Sequence, residues 1–290
     1  MSLMGWIVFA VLTLYAISMC LLLLWGIFTA LKPQAEFLKD KVWLPDGWPW
    51  EWAWSNITFV LENYYIRVVS SSVGTKEVWI EEMVLNSVLY AGGSAIMTLA
   101  ATCWTAYLAA KFKNFFSKAI YVIVIVTLAL PIVGSDPSML QLMQSMGLYD
   151  TFIGSWLQKF KFLGIYFLVF YAVFASLPKD YFEAAHVDGA SEMTLFFRIA
   201  LPLVANISFT VFLLEFVTYW NDYQTPLLYL PTHPTLAYGV YALSNTRIQG
   251  FNYVPIRMAC SVIVVIPILV LFLVFKERMM KNVSLGGIKE

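Results

Sequence analysis

Ionisable side chains are scarce in this chain: only 12% of its 290 residues are Asp, Glu, Lys or Arg, and the two signs cancel to a formal net charge of zero. A neutral chain has no basic face to set against phosphates, so nucleic acid is excluded as a partner. Histidine is scarcer still, with only His186 and His233, placed in different loops. No grouping of His, Asp, Glu, Cys or Ser has catalytic or metal-ligand spacing, so the expected catalytic residues are none and the expected metal ligands are none. The cysteines, Cys20, Cys103 and Cys260, are odd in number and sit inside apolar runs, which argues against a disulfide framework. A G-x4-G-K-[ST] phosphate loop is missing too, and any ATP must therefore be bound elsewhere.

What the chain has in excess is apolar surface. It is 60% hydrophobic with a mean hydropathy of +0.74, too apolar for an ordinary water-soluble domain. The run from Trp6 to Leu31 is uncharged over 26 residues and lacks a basic leader and a small-residue cleavage site, so it reads as a retained membrane helix rather than a signal peptide. Similar runs give an all-α expectation of six transmembrane helices, near 6–31, 83–110, 119–135, 162–178, 205–230 and 257–276, in one membrane domain spanning residues 1–290. Six spans put both termini on one side. Lys and Arg divide nine to nine between the two sides, but the set on the side of the termini is packed into less than half the length, and five of the opposite nine lie in one long acid-rich loop. Cytoplasmic termini follow, with 32–82 outside and 178–202 inside.

The segments between the runs are informative. Residues 43–54 hold five of the eleven Trp residues. Indoles favour the bilayer boundary, yet flat aromatics also suit a docking partner or the apolar face of a pyranose, and the sequence leaves these readings open. Pro131 and Pro137 with Gly134, Ser135 and Asp136 between them predict a broken, re-entrant element, tolerated at membrane depth only beside protein or a water-filled cavity. Residues 178–202 predict a compact helix-turn-helix knob: Pro178 at the start, Tyr181, Phe182, Ala184 and Ala185 in a short helix, Asp188-Gly189 as a turn, Ser191 capping a second helix, and Leu201-Pro202 ending it.

Within that knob, Glu183-Ala184-Ala185, Gly189, Ile199, Leu201 and Pro202 fit the pattern E-A-A-x3-G-x9-I-x-L-P without a mismatch. The pattern resembles the cytoplasmic coupling loop between the fourth and fifth helices of permease subunits in binding-protein-dependent ABC importers. Further stretches extend the likeness: Leu31-Lys32-Pro33, Asn86-Ser87, Tyr107 to Phe112, Gly147-Leu148 with Thr151, Trp220-Asn221-Asp222-Tyr223 and Leu285-Gly286-Gly287. Together they resemble the maltose-type, MetI-like carbohydrate permeases. The Trp-rich outer loop of residues 32–82 is longer than that family's, and the stretch around Ser70 to Glu82 is extra.

The resemblance implies a non-enzymatic transport subunit of the bacterial inner membrane that binds no cofactor itself. Its implied partners are a second homologous permease, two ATPase subunits carrying ATP and Mg, an extracytoplasmic solute-binding protein, and a carbohydrate, an oligosaccharide first of all. It also implies that Glu183, Ala184, Ala185, Asp188, Gly189, Ile199, Leu201 and Pro202 couple to the ATPase and that Gly286 and Gly287 reach toward it.

In the fifth run, Ser208, Phe212, Glu215, Thr218, Tyr219 and Asp222 recur at helical spacing as a polar stripe. A carboxylate at mid-membrane costs about 2.5–3.5 kcal/mol, so Glu215 is expected to face protein or water, either pairing with another helix or lining a solute path. Asn86, Tyr219, Asn221 and Asp222 are path candidates with the same ambiguity. A secondary transporter would show inverted repeats and paired intramembrane ions, which the chain does not. A permease for peptide or another non-sugar solute is the nearer alternative, because the coupling pattern is common to different cargoes.

Overall fold

The computed structural model describes residues 3–70, 74–112, 114–130, 134–178, 180–245 and 250–285. The chain packs as two compact units, Met1–Glu82 with Leu236–Leu271, and Met83–Thr235 with Phe272–Glu290.

The first unit opens with α1 (Leu3–Ala30), whose apolar residues surround it on every side. Without a polar face, a helix has no direction in which to bury itself, and none of its apolar stretch is buried within the chain. At its end, Lys32 is 1% exposed, donating to the Asp40 carbonyl at 3.0 Å and lying 3.8 Å from the Asp40 carboxylate. Lys32 and Pro33 thus turn the chain from α1 into α2 (Gln34–Lys39). The Trp-rich segment follows, then α3 (Ser55–Asn63).

An antiparallel hairpin comes next, β1 (Tyr65–Ser70) and β2 (Gly74–Trp79), with Ile66 opposite Val78 and Arg67 opposite Glu77. Ile66, Val68 and Val78 are buried on one face, while Arg67 donates to Glu77 across the other at 3.1 Å. The all-α expectation is corrected here: alternating Ile, Val and Tyr fit a pleated, half-buried surface better than a helix.

In the second unit, α4 (Ile80–Lys111) is 44% buried along its apolar stretch. Its Gly93 lets Trp156 approach closely, since a Cβ there would overlap the indole, and Trp156 Nε1 donates to the Leu89 carbonyl at 3.0 Å. α5 (Phe115–Ala129) is capped by Asn114, and α6 (Asp136–Ser145) starts with Pro137 in its first turn, so the expected break is present, with Pro131 outside the described residues. The corner after α6 holds Gly147 at φ +68° and Asp150 at φ +59°. Thr151 then caps α7 (Phe152–Lys159) by accepting from Gly154 N at 3.1 Å. The Gly-Leu-x-x-Thr stretch is therefore a turn-and-cap device.

α8 (Ile165–Ser176) leads to α9 (Asp180–Val187) and α10 (Glu192–Leu195), a π-helical turn (Phe196–Ala200) and α11 (Leu201–Leu203). α12 (Ala205–Trp220), α13 (Gln224–Tyr229), α14 (Leu236–Asn245) and α15 (Val254–Leu285) complete the order, α14 and the first part of α15 returning to the first unit. The core of the second unit gathers Tyr107, Val124, Phe167, Phe170, Phe174, Phe196 and Val211.

Three helices are long and apolar enough to cross a membrane, Met4–Ala30, Ile80–Lys111 and Val254–Phe275, rising to five if each of two bent pairs is one span. The shorter apolar helix α5 lies where the expected third span was placed, so among the described residues three to five candidate crossings stand by length against the six expected. The expected third span ends early, α5 having 15 residues. The fifth breaks at Asn221–Tyr223, where Asp222 accepts from Thr225 N at 3.0 Å and so caps α13 instead of continuing α12.

Candidate functional site

Residues 180–203 fold as the expected knob, and local chemistry explains each joint. At the end of α9, Ala190 N donates to the Ala185 carbonyl at 2.9 Å and Gly189 N to the His186 carbonyl at 3.0 Å, with Gly189 at φ +76°. This is a Schellman closure, in which the residue at the left-handed position is best glycine. The spacing from Ala185 to Gly189 in the sequence pattern is the spacing that this closure requires. Ser191 then accepts from Thr194 N at 3.3 Å, capping α10.

The second arm is longer than the sequence reading placed it. Pro202 lies within α11 instead of ending the helix, and the bend, 76°, comes at Val204. Proline has no N–H and its ring crowds the carbonyl four residues back. The preceding turn widens accordingly to the π pattern, Leu201 N donating to the Phe196 carbonyl.

One arm is exposed and the other anchored. No residue of α9 is buried; Glu183, Ala184, Asp188 and Gly189 are exposed and Ala185 is half-buried. In the second arm Leu195, Phe196 and Ala200 are buried, with Phe196 edge-on to Trp104 at 4.5 Å, while Ile199 and Leu201 are half-buried and Pro202 is exposed. Lys111, the last residue of α4, ties the two arms together. Its ammonium bonds Glu192 at 2.7 Å and Tyr107 Oη at 3.1 Å, and lies 5.1 Å from the Phe182 ring centre, while His186 Nε2 is 3.4 Å from Glu192. This explains the Tyr107–Phe112 stretch, which sequence reading could only match. A cavity of about 410 Å³ lies beneath α9, lined by Tyr107, Lys111, Phe174, Phe182, Glu183 and His186 among others. Gly286 and Gly287 lie outside the described residues.

A second polar constellation surrounds the break after α12. Lys159 Nζ donates to Thr225 Oγ1 at 3.1 Å and sits 3.7 Å from the Asp222 carboxylate, their side chains 13% and 20% exposed. Tyr90 donates to Asp222 at 2.7 Å, and the Lys159 ammonium lies 5.1 Å from the Tyr219 ring centre. Tyr219 Oη is 2.8 Å from Thr98 Oγ1 and is hydrogen-bonded to Glu215, which is buried. Beside this cluster lies a cavity of about 670 Å³, lined by Asp136, Gln158, Lys159, Lys161, Asp222 and Tyr229 with several apolar side chains.

The structure therefore brings Glu215, Tyr219 and Asp222 into one network and leaves the other candidates apart. Asn86 is buried and donates to the Pro234 carbonyl at 3.1 Å; Asn221 is exposed and donates back to Val217 at 2.8 Å. Thr218 is exposed and bonds its own helix at Leu214. Lys159, Tyr90, Thr98 and Thr225 escaped the sequence reading; the pair Lys159 and Lys161, at the end of an amphipathic helix between two apolar runs, was the available signal. Among the described residues there is no group of three or more His, Cys, Asp or Glu able to hold a metal ion.

The long apolar helices define a membrane-embedded chain. Residues 87–284 match the family described as "Binding-protein-dependent transport system inner membrane component", and the chain belongs to that family. It is thus a multi-pass permease component of the inner membrane, not an enzyme. It is 26% identical over 280 residues to the diacetylchitobiose uptake system permease protein NgcG of Streptomyces coelicolor, covering 96% of this chain and 86% of that one. It is 29% identical over 272 residues to the osmoprotective compounds uptake permease protein GgtD of Synechocystis, covering 91% and 86%. Its fold matches a chain in the crystal structure of a bacterial ABC transporter that imports the acidic polysaccharide alginate, with a TM-score of 0.75, 17% identity, and coverage of 94% and 95%.

Proposed function

We propose that this chain is one of two permease subunits in an ATP-driven importer for a carbohydrate, in the first instance an oligosaccharide, delivered by an extracytoplasmic binding protein. Two partner ATPase subunits hold ATP and Mg. Both termini and the knob of residues 178–202 face the cytoplasm, where closure of the ATPase pair pushes on the knob and switches the helix bundle between outward-facing and inward-facing states. Glu183, Ala184, Ala185, Asp188 and Gly189 form the contact, Ile199, Leu201 and Pro202 carry the displacement to α12, and the tail with Gly286 and Gly287 adds to the ATPase contact.

The observation that carries this reading is the knob's build: an arm with no buried residue, closed by Gly189 and fastened through Lys111 and Glu192 to a second arm rooted in the core. Such an element can transmit force because its exposed part cannot move independently of the core. For the cargo, support comes from the relative named for a disaccharide and from the polar cavity beside Asp222, with Tyr219 and Glu215 behind it. The relative named for osmoprotective compounds favours a second reading, a smaller polar solute through the same path.

Uptake by the reconstituted importer tests both levels. Inactivating the partner ATPase site is expected to abolish uptake, with a protonophore leaving it unchanged; collapse with the protonophore alone overturns the reading. Competition between labelled oligosaccharides and small osmolytes then decides the cargo.

A further inference from the structure

Residues 42–54 are wound around the end of α1. Trp25 Nε1 donates to the Lys41 carbonyl at 2.8 Å, Ala53 N to the Leu31 carbonyl at 2.9 Å, and Asn56 Nδ2 to the carbonyls of Ala30 and Lys32, both at 2.9 Å. The Trp52 ring stands edge-on to Phe28 of α1 at 5.7 Å. These bonds fix the segment at one height on α1, the height at which its apolar surface stops.

The side chains then sort by chemistry. Trp43, Trp48, Trp50 and Trp54 are 76%, 64%, 72% and 50% exposed, and Val42 and Leu44 beside them are exposed as well. The carboxylates nearby are turned onto backbone: Asp40 accepts from Val42 N at 3.0 Å, Glu36 from Asp46 N at 2.9 Å, and Glu51 from Trp48 N at 2.9 Å. The Val42 bond holds the Asp40 carboxyl below its ordinary range. Lys39 and Lys41 stay exposed. Exposed indoles with lysines, with three acids bonded to backbone and Asp46 left exposed, match a zwitterionic headgroup layer, where an indole's apolar body and N–H are both satisfied and an ammonium meets phosphate.

We propose that residues 42–54 are a membrane-interface anchor, seated among phospholipid headgroups at the level where the apolar surface of α1 ends and setting the depth of that helix. The anchor is independent of the coupling role of the knob.

The test uses the assembled importer in phospholipid nanodiscs, with Cys20, Cys103 and Cys260 replaced and a nitrobenzoxadiazole dye on Trp48→Cys or, separately, Trp43→Cys. The expected result is quenching by headgroup-proximal spin-labelled lipid about two-fold stronger than by a bilayer-centre label, unchanged by saturating binding protein or by sugar. Full quenching by aqueous iodide with none by lipid overturns the proposal. Protection from iodide that appears only with binding protein, or only with sugar, overturns it in favour of a docking platform or a sugar platform. Two labelled positions keep the result readable if either variant fails to assemble.

Discussion

Gly189 offers the cleanest perturbation of the knob, because the space around it is empty: a Cβ there meets nothing within 4 Å. Within the chain, any penalty for a side chain is therefore the backbone's own, at φ +76°. For alanine the left-handed conformation costs about 1–2 kcal/mol. That lowers the population of the closed turn by roughly 5- to 30-fold relative to open forms. Asparagine tolerates the conformation and is expected to cost less. Proline is locked near φ −65°, so the turn cannot form, and it also deletes the N–H that donates to His186 at 3.0 Å, a bond worth about 1 kcal/mol. Initial rates of ATP-driven uptake are expected to fall in the order Gly, Asn, Ala, Pro, reaching background for Gly189→Pro, while the variants co-purify with their partner subunits and capture of solute by the binding protein persists. Wild-type uptake by Gly189→Pro refutes the reasoning; so does equal loss in all three variants, because the conformational scale would then be irrelevant.

Charge exchange at the strut is the second test. Lys111→Glu or Glu192→Lys alone is expected to depress uptake and solute-stimulated ATP hydrolysis, and the double exchange to recover most of both. The pair is partly exposed, so its stability contribution is only about 0.2–1 kcal/mol and assembly should be untouched. At the inner network, Lys159→Met leaves Asp222 facing a largely buried site without its cation, with an expected loss of about 3 kcal/mol, and adding Asp222→Leu is expected to restore part of it. Thermal denaturation of the detergent-solubilised complex reads both, and simple additivity of the two substitutions argues against the pair. Gly93→Val drives a branched side chain into Trp156 and is expected to destabilise by about 1–3 kcal/mol in the same assay. An unchanged midpoint would mean that the indole moves aside freely.

The knob was legible in the sequence because its signals are local: glycine at a left-handed position, serine before a first-turn glutamate, and fixed spacing between them. The hairpin was missed although its alternation is plain in Tyr65–Ser70 and Gly74–Trp79, because the acid-rich composition of residues 32–82 read as a loop. The stripe on α12 was half right. Glu215, Tyr219 and Asp222 do gather, but Thr218 turns away, and helical spacing could not show that the helix ends at Trp220. The partner of Asp222 was beyond reach: Lys159 belongs to another helix far along the chain, and only the fold brings them to 3.7 Å. The end of the fifth run was misplaced for a related reason, since hydropathy adds up apolar residues across a break that Asn221 and Asp222 create by bonding backbone.

A photo-crosslinking residue placed at Asp188, exposed on the knob, tests the central claim most directly in the purified, lipid-embedded importer. The account predicts an adduct with an ATPase subunit whose yield changes between nucleotide-free and ATP-trapped states. Adducts with lipid alone, or with the binding protein, would contradict it.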